Sequence, residues 1–368
     1  MKLISKLFVL LILTSAMTTH AGSVNDKKLQ IDKVADGLGI PWGMAILPDG
    51  TMLVTQREGK LSLLDLDSGN KTSISGVPKV KAVGQGGFLD VALSPDYAES
   101  GWIYFTYSKD VDGQGATTLA RAKLNGDALS DWNDLLVTQS RTSKGQHYGS
   151  RIVFDQQGHL FFSIGDRGER DRAQNLNNHN GTILRLKLDG SVPQDNPFVG
   201  DNNALPEIWS YGHRNPQGLF YNAETQQLWG IEHGPRGGDE INLIEAGKNY
   251  GWPEASHGKE YYAPVSVGKK EVEGMENPVK VYIPSIAPSG LVQYQGDAFP
   301  EWQGDLFTGA LALQHLNRVK IEDNQAVDEV RYLRTMNKRI RDVIESPEGW
   351  LYVSTDDGEI YRIQPAAN

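Results

Sequence analysis

The feature that most narrows the fold is that both ends of the chain carry the same module. Trp42-Gly43-Met44-Ala45-Ile46-Leu47 runs into Pro48-Asp49-Gly50, then Met52-Leu53-Val54-Thr55, then Gly59-Lys60-Leu61-Ser62-Leu63-Leu64. Near the C-terminus, Asp342-Val343-Ile344-Glu345-Ser346 runs into Pro347-Glu348-Gly349, then Leu351-Tyr352-Val353-Ser354, then Gly358-Glu359-Ile360-Tyr361-Arg362-Ile363. Short apolar runs punctuated by Pro, Asp and Gly are the mark of antiparallel strands joined by tight turns. Four further copies lie between, at 88–107, 151–188, 218–244 and 290–321. A lone small sheet cannot bury both faces, whereas six closed radially can, leaving only short, protected edges. The pattern predicts an all-β chain, a six-bladed β-propeller of four-stranded antiparallel blades, with a pair of β-sandwiches as the alternative.

Forty glycines fit that reading, and the absence of cysteine excludes disulfides, thiolate metal sites and cysteine nucleophiles, so an apolar core must stabilise the fold. Lys2 and Lys6, the apolar run Leu7 to Leu13 and Thr19-His20-Ala21 read as a signal peptide over residues 1–21. Residues 22–368 are then expected as one propeller domain, periplasmic or secreted. The apolar run falls short of the roughly 20 residues of a spanning helix, so no membrane span is expected in the mature form. Cleavage takes the formal charge from −10 to −12, which argues against nucleic acid or an anionic membrane as partner. Six copies over the remaining 347 residues give about 58 each, above the roughly 40–45 of a minimal blade, so long loops are expected at one end.

Aligning the repeats by first strand exposes a second regularity. Gln85 precedes Phe88-Leu89-Asp90-Val91, His147 precedes Arg151-Ile152-Val153-Phe154, Arg214 and Asn215 precede Gly218-Leu219-Phe220, and Arg339 and Arg341 precede Asp342-Val343-Ile344. First strands line the channel of a propeller, so these positions converge on one mouth. Each residue alone has an ordinary structural explanation; their shared register in four repeats does not. Clustered arginines repel one another without an anion, and their planar forks match carboxylates. A separate stretch, Glu232-His233-Gly234-Pro235-Arg236-Gly237-Gly238-Asp239-Glu240-Ile241-Asn242, offers carbonyl and carboxylate oxygens that suit a hard cation such as calcium, or alternatively forms a structural turn with acids facing water.

These residues resemble the soluble sugar dehydrogenases that use pyrroloquinoline quinone (PQQ), the glucose/sorbosone dehydrogenase family, over Leu38 to Ile363, most closely its periplasmic aldose sugar dehydrogenase branch. The motifs that carry the likeness are Gly84-Gln85-Gly86-Gly87, Gln146-His147-Tyr148-Gly149, Tyr211-Gly212-His213-Arg214-Asn215-Pro216, Glu232-His233-Gly234-Pro235, Lys248-Asn249-Tyr250-Gly251-Trp252-Pro253 and Arg339-Ile340-Arg341-Asp342. The resemblance implies His147 as general base and Gln85, Arg214, Asn215, Arg339 and Arg341 as residues holding PQQ. It implies that Gly234 and Pro235 present carbonyls to a calcium beside PQQ, that Glu240 and Tyr250 bind a further calcium, and that Tyr261 flanks the cofactor.

There is one departure from the family pattern. Relatives carry a lysine after the Gly-Ala-Leu of the fifth repeat, where this chain reads Gly309-Ala310-Leu311-Ala312, with Gln314 as a partial substitute. The implied reaction is oxidation of an aldose at its anomeric carbon to a lactone, with electrons passed to an acceptor the sequence does not identify. Two other readings stay open. A calcium-dependent lactonase would gather acidic and amide ligands on one metal rather than arginines. A non-catalytic binding propeller is opposed by the His147 motif and the Arg339/Arg341 pair.

Overall fold

The computed structural model describes residues 26–367. The signal-peptide reading of residues 1–21 lies outside the described residues. Six four-stranded antiparallel sheets follow one another along the chain, each with its strands in sequential order except the last. They are the blades of the expected propeller, and their first strands are Pro41–Ile46, Phe88–Leu93, Ile152–Phe154, Pro216–Asn222, Pro288–Gln293 and Ile340–Glu345. The sixth blade is closed by the other end of the chain. Leu29–Ala35 pairs antiparallel with Ile360–Pro365, with Ile31 opposite Ile363. The repeat pattern begins at Trp42 and does not reveal this strand, whose alternating half-buried and exposed residues leave it no apolar run.

Apolar residues gather in one cluster per blade-to-blade contact. Leu53 and Leu61 of blade 1 meet Phe88 and Phe105 of blade 2, Tyr104 and Leu119 of blade 2 meet Leu160 and Phe162 of blade 3, and Phe161 and Ile183 meet Leu219 and Leu228. Trp229 and Ile231 meet Leu306 and Val319, Phe307 and Leu316 meet Val343 and Val353, and Tyr352 and Ile360 of blade 6 return to Met52 and Val54 of blade 1. Each such side chain contributes about 1.5–3 kcal/mol on burial, so six such contacts stabilise a ring that has no disulfide to close it. Among the described residues no helix is long and apolar enough to cross a membrane.

Antiparallel pairing places the start of each first strand beside the end of the second. Pro41 lies opposite Gln56, Pro216 opposite Glu232, Pro288 opposite Ala310 and Ile340 opposite Thr355. One mouth of the channel therefore receives residues from both positions of every blade.

Below that mouth the channel is crossed by Arg151. Its guanidinium bonds Asp90 at 2.9 Å and Asp342 at 3.0 Å, and donates to the carbonyls of Gln217 (2.8 Å) and Trp42 (3.2 Å). The acids fit only because first-strand residues opposite them are glycines: a Cβ on Gly290 would meet Asp342 Oδ1 at 2.0 Å, and one on Gly43 would meet Asp90 Oδ1 at 2.7 Å. Burial pushes both carboxyls above their ordinary range, Asp342 to about 7, against the pull of Arg151.

Candidate functional site

His147 sits on the loop entering blade 3, in the left-handed backbone region at φ +56°. Its surroundings hold it there. Gly149, at φ +64°, has no room for a Cβ beside Ser163 O (2.7 Å), and a Cβ on Gly165 would meet His147 O at 2.3 Å. The fully buried Arg167 pins the same loop, donating to the carbonyls of Gly115, Lys144 and Gln146 and lying 3.3 Å from the centre of the Tyr148 ring. A histidine in an uncommon backbone conformation, fixed on all sides, is the kind of local strain that clusters at active sites.

The imidazole is buried and its Nδ1 lies 2.6 Å from Asp166 Oδ1. The other oxygen of Asp166 accepts from Trp252 Nε1 at 2.8 Å. With Nδ1 engaged by a carboxylate, the ring keeps its proton on that side and leaves Nε2 as an acceptor. Burial, together with the Arg214 and Arg167 charges, holds His147 below the ordinary histidine range although Asp166 pulls the other way. Asp166 is opposed by burial but kept below the usual carboxylate range by its bond to His147 and by Arg214. A neutral base beside an ionised carboxylate follows.

Gln85 Oε1 accepts from His147 N at 2.7 Å, which leaves its amide hydrogens for other partners. Asn215 Oδ1 accepts from Gly149 N at 3.2 Å, and its Nδ2 faces His233 Nδ1 at 3.4 Å. Arg214 Nη1 donates to His233 O at 3.0 Å, while its buried Nε has no protein partner. His233, pushed down to about 3 by burial, is neutral and donates from Nε2 to Pro288 O at 2.6 Å. On the opposite side of the mouth, Asp356 takes Arg339 Nε at 2.8 Å and Arg341 Nε and Nη2 at 2.8 and 3.0 Å. Arg339 also donates to Leu311 O at 3.0 Å. Gln85, Arg339, Arg341, His233, Trp42 and Asp356 line a cavity of about 360 Å³.

The structure thus gathers Gln85, His147, Arg214, Asn215, Arg339 and Arg341 around one mouth: Gln85, Arg339 and Arg341 line the cavity, while His147, Arg214 and Asn215 adjoin it through Tyr148, Gly149 and His233. Others stand apart. Ala312 is exposed one residue beyond Leu311, Gln314 follows it in the left-handed region (φ +52°), and Tyr261 is 67% exposed on the long loop after Trp252; none of the three lines the cavity.

The expected metal residues fall in two places. Gly234 and Pro235 form a turn tied by Gly234 N to Asp239 Oδ1 (2.9 Å) and by Ser285 Oγ to Pro235 O (3.1 Å), where a Cβ on Gly234 would collide with Gly238 O. Glu240 instead lies near Glu232 and Asn242, and burial, with the Glu232 charge, pushes its carboxyl well up. Tyr250 stacks on His213, which bonds Glu232 at 2.9 Å; its hydroxyl is taken up by Leu243 O and Glu245 N. Among the described residues no three His, Asp or Glu side chains gather as a metal cluster. Two acids share this spot with Asn242 Oδ1, a buried oxygen without a partner.

Three residues that organise the mouth had no role in the sequence reading: Asp166, Trp252 and Asp356. A signal for two of them existed. Asp166 follows the second strand of its blade by one glycine, and Asp356 follows its own directly, so aligning second-strand ends would have placed them beside the first-strand starts.

Such a fold and mouth describe a propeller with a cluster of guanidinium groups beside a buried histidine that is bonded to a carboxylate. The sequence profile of the Glucose / Sorbosone dehydrogenase family matches residues 38–362, and the chain belongs to that family of sugar dehydrogenases. It is 41% identical to the aldose sugar dehydrogenase YliI of Escherichia coli strain K12, over 97% of each chain. The crystal structure of the soluble aldose sugar dehydrogenase from Escherichia coli in its apo-form matches with a TM-score of 0.89 at 40% identity, covering 92% of this chain and 100% of that one. The PQQ-bound form of the aldose sugar dehydrogenase from Streptomyces coelicolor matches with a TM-score of 0.76 at 30% identity, covering 92% and 98%.

Proposed function

We propose that this chain uses PQQ and calcium to oxidise cyclic aldoses at the anomeric carbon to lactones, as one exported domain in the periplasm or outside the cell. The observation that carries the reading is the His147–Asp166 pair, with Nε2 unpartnered, beside an arginine-lined cavity. PQQ is a tricarboxylate that, when bound, supplies an electrophilic quinone carbonyl to accept hydride.

The residues present suit it. Arg339 and Arg341 share a single carboxylate, and Arg214 keeps a buried Nε free, so the mouth has guanidinium hydrogens free to meet an added anion. Gln85 contributes amide donors and Asn215 fixes the backbone under them. His147 Nε2 takes the proton of the anomeric hydroxyl, and Asp166 steadies the imidazolium that results. Half-buried Glu240, buried Glu232 and the free oxygen of Asn242 fit a hard cation, and the Gly234–Pro235 turn offers carbonyls for one next to the cavity.

The test is to load purified protein with PQQ and calcium and follow dye reduction across a panel of aldoses. Sugar-dependent reduction that vanishes on chelation and returns with calcium supports the reading. Failure of PQQ to bind in calorimetric titration overturns it, and lactone hydrolysis without PQQ would favour a lactonase.

A further inference from the structure

Trp252 reaches the mouth from the loop after Asp239–Ile244 of the fourth blade, and donates from Nε1 at 2.8 Å to Asp166 Oδ2, just past the second strand of the third. It is buried, and its backbone is fixed at both polar atoms: the N–H donates to Gly212 O and the carbonyl accepts from Gln174 Nε2, each at 2.8 Å. Its ring packs with Ala173 and Val267. Burial in this fold does not oblige an indole to meet a carboxylate, because Nε1 of Trp209 and Nε1 of Trp229 are buried with no protein partner. The bond to Asp166 is a specific one.

Asp166 divides its two oxygens. Oδ1 meets His147 Nδ1 and accepts from Gly168 N, both at 2.6 Å, while among the described residues Oδ2 accepts only from Trp252. A carboxylate engaged through both oxygens cannot turn from the imidazole without losing a bond, which is how a supporting shell holds a reacting group in place. The Trp252 ring has a second contact. The Arg214 guanidinium lies 5.3 Å from its centre and that of Arg170 5.5 Å, both within the reach of cation–π attraction. Arg170 is already paired with Glu260 at 2.7 Å, whereas Arg214 is among the residues expected to hold the cofactor.

We propose that Trp252 is the positioning residue that sets the base and a cofactor-holding cation in register: its indole N–H fixes Asp166 against His147, and its ring carries Arg214. The inference rests on the function proposed above. It carries a definite sign. An N–H donated to Oδ2 holds part of the carboxylate's negative charge, so deleting it leaves Asp166 a stronger attractor of the His147 proton. The other charged groups near His147 are Arg167, next to Asp166, and Arg214 at the entry to blade 4. His233, at the end of that blade's second strand, is neutral, and Arg170 with its partner Glu260 lies against the same indole. Trp252→Phe deletes the donor and leaves each of these charges in the chain.

The experiment titrates His147 by NMR in the full protein without PQQ, its resonance assigned by loss in His147→Gln. Trp252→Phe should move the His147 midpoint up by about half a unit to one unit, opposite to Asp166→Asn, which moves it down. A tryptophan that only filled space would give the reverse sign, because its loss lets Asp166 move off His147; a downward or absent shift overturns the proposal. In wild type the Trp252 indole proton should titrate with the His147 midpoint, a readout that needs no stable variant, and an indole indifferent to that titration overturns the proposal equally. With PQQ and calcium, Trp252→Phe should lower kcat about tenfold, with KM and PQQ affinity within about threefold. Trp252→Leu also removes the ring face and should weaken PQQ about fivefold; equal PQQ affinity in the two variants would overturn the link to Arg214. The NMR measurements use no cofactor, so failure of PQQ to bind rejects the dehydrogenase reading alone, and failure of the titration shifts rejects this inference alone.

Discussion

Two groups of arginines occupy neighbouring levels of one channel and have opposite charge balance. Inside, a single guanidinium, Arg151, faces two buried carboxylates, Asp90 and Asp342, and its remaining hydrogens reach backbone carbonyls. At the mouth, two guanidiniums, Arg339 and Arg341, share one carboxylate, Asp356. The titration directions follow: burial and excess negative charge push Asp342 up to about 7, whereas burial lowers Arg341 despite Asp356. The inner group is complete without a ligand, and any surplus can be relieved by a proton. The outer group is short of negative charge, and an anion from outside would balance it. Identical residue types thus serve as a structural tie at one level and as a receptor a few residues away.

The largest effect is expected at His147, the buried histidine beside the mouth. His147→Ala should lower turnover by about 10² to 10⁴ while leaving PQQ affinity within a few-fold, because general-base catalysis is of that size. Turnover within threefold of wild type would remove His147 from the base role. In wild type, the acid limb of the kcat/KM profile should lie below the ordinary histidine pKa, since burial and the arginines depress His147. Asp166→Asn removes the group that raises it, so the limb should move further down as the rate falls.

Next in size is the inner group. Arg151→Met strands two buried carboxylates and should cost about 3–5 kcal/mol of stability, seen as a lowered thermal midpoint. Both carboxyls are raised in the folded state, so protonation favours folding: the deficit should be greatest at neutral pH and above and should shrink as pH falls below about 7. An unchanged midpoint would show that Arg151 is not the tie described here.

How much of this was legible in the sequence follows from where each residue's partners lie. The inner three strands of each blade showed themselves because they are buried on both faces, as in Met52–Gln56 and Leu351–Thr355. Outer strands such as Lys71–Ile74 and Gln325–Tyr332 are exposed or half-buried over most of their length and carry no run to detect. First-strand register was enough to gather six of the mouth residues. It missed Asp166, Trp252 and Asp356 because they arrive from second-strand ends and from a loop after the fourth blade's third strand, and pairing across loops leaves no local pattern.

The outer group gives the two smaller predictions. Arg341→Ala should weaken PQQ by about 2 kcal/mol, roughly 30-fold, the size expected for a lost charge-assisted contact. Unlike Arg151→Met, it should barely lower the thermal midpoint of the apo protein, because it removes one of two cations competing for Asp356. A large apo destabilisation with unchanged PQQ affinity would reverse the assignment of the two levels.

Ala312→Lys is the smallest and most specific probe of the charge deficit. Ala312 N is fixed by Ile286 O at 2.9 Å, and the residue is exposed beside the Leu311 carbonyl that anchors Arg339, so a longer side chain meets no steric barrier. A third cation here adds repulsion to Arg339 and Arg341 in the apo protein and attraction to a bound tricarboxylate, at a solvent-exposed site where one contact contributes about 0.2–1 kcal/mol. PQQ should therefore bind about two- to five-fold tighter by calorimetric titration, with a steeper loss of affinity on raising salt and an apo midpoint equal to or slightly below wild type. Gln314 offers a side-chain amide two residues on, and Gln314→Ala should weaken PQQ by a similar small factor only in the Ala312 background. If the lysine leaves affinity unchanged while Arg341→Ala lowers it, the mouth is already satisfied by Arg214, Arg339 and Arg341, and the missing family lysine is no deficit.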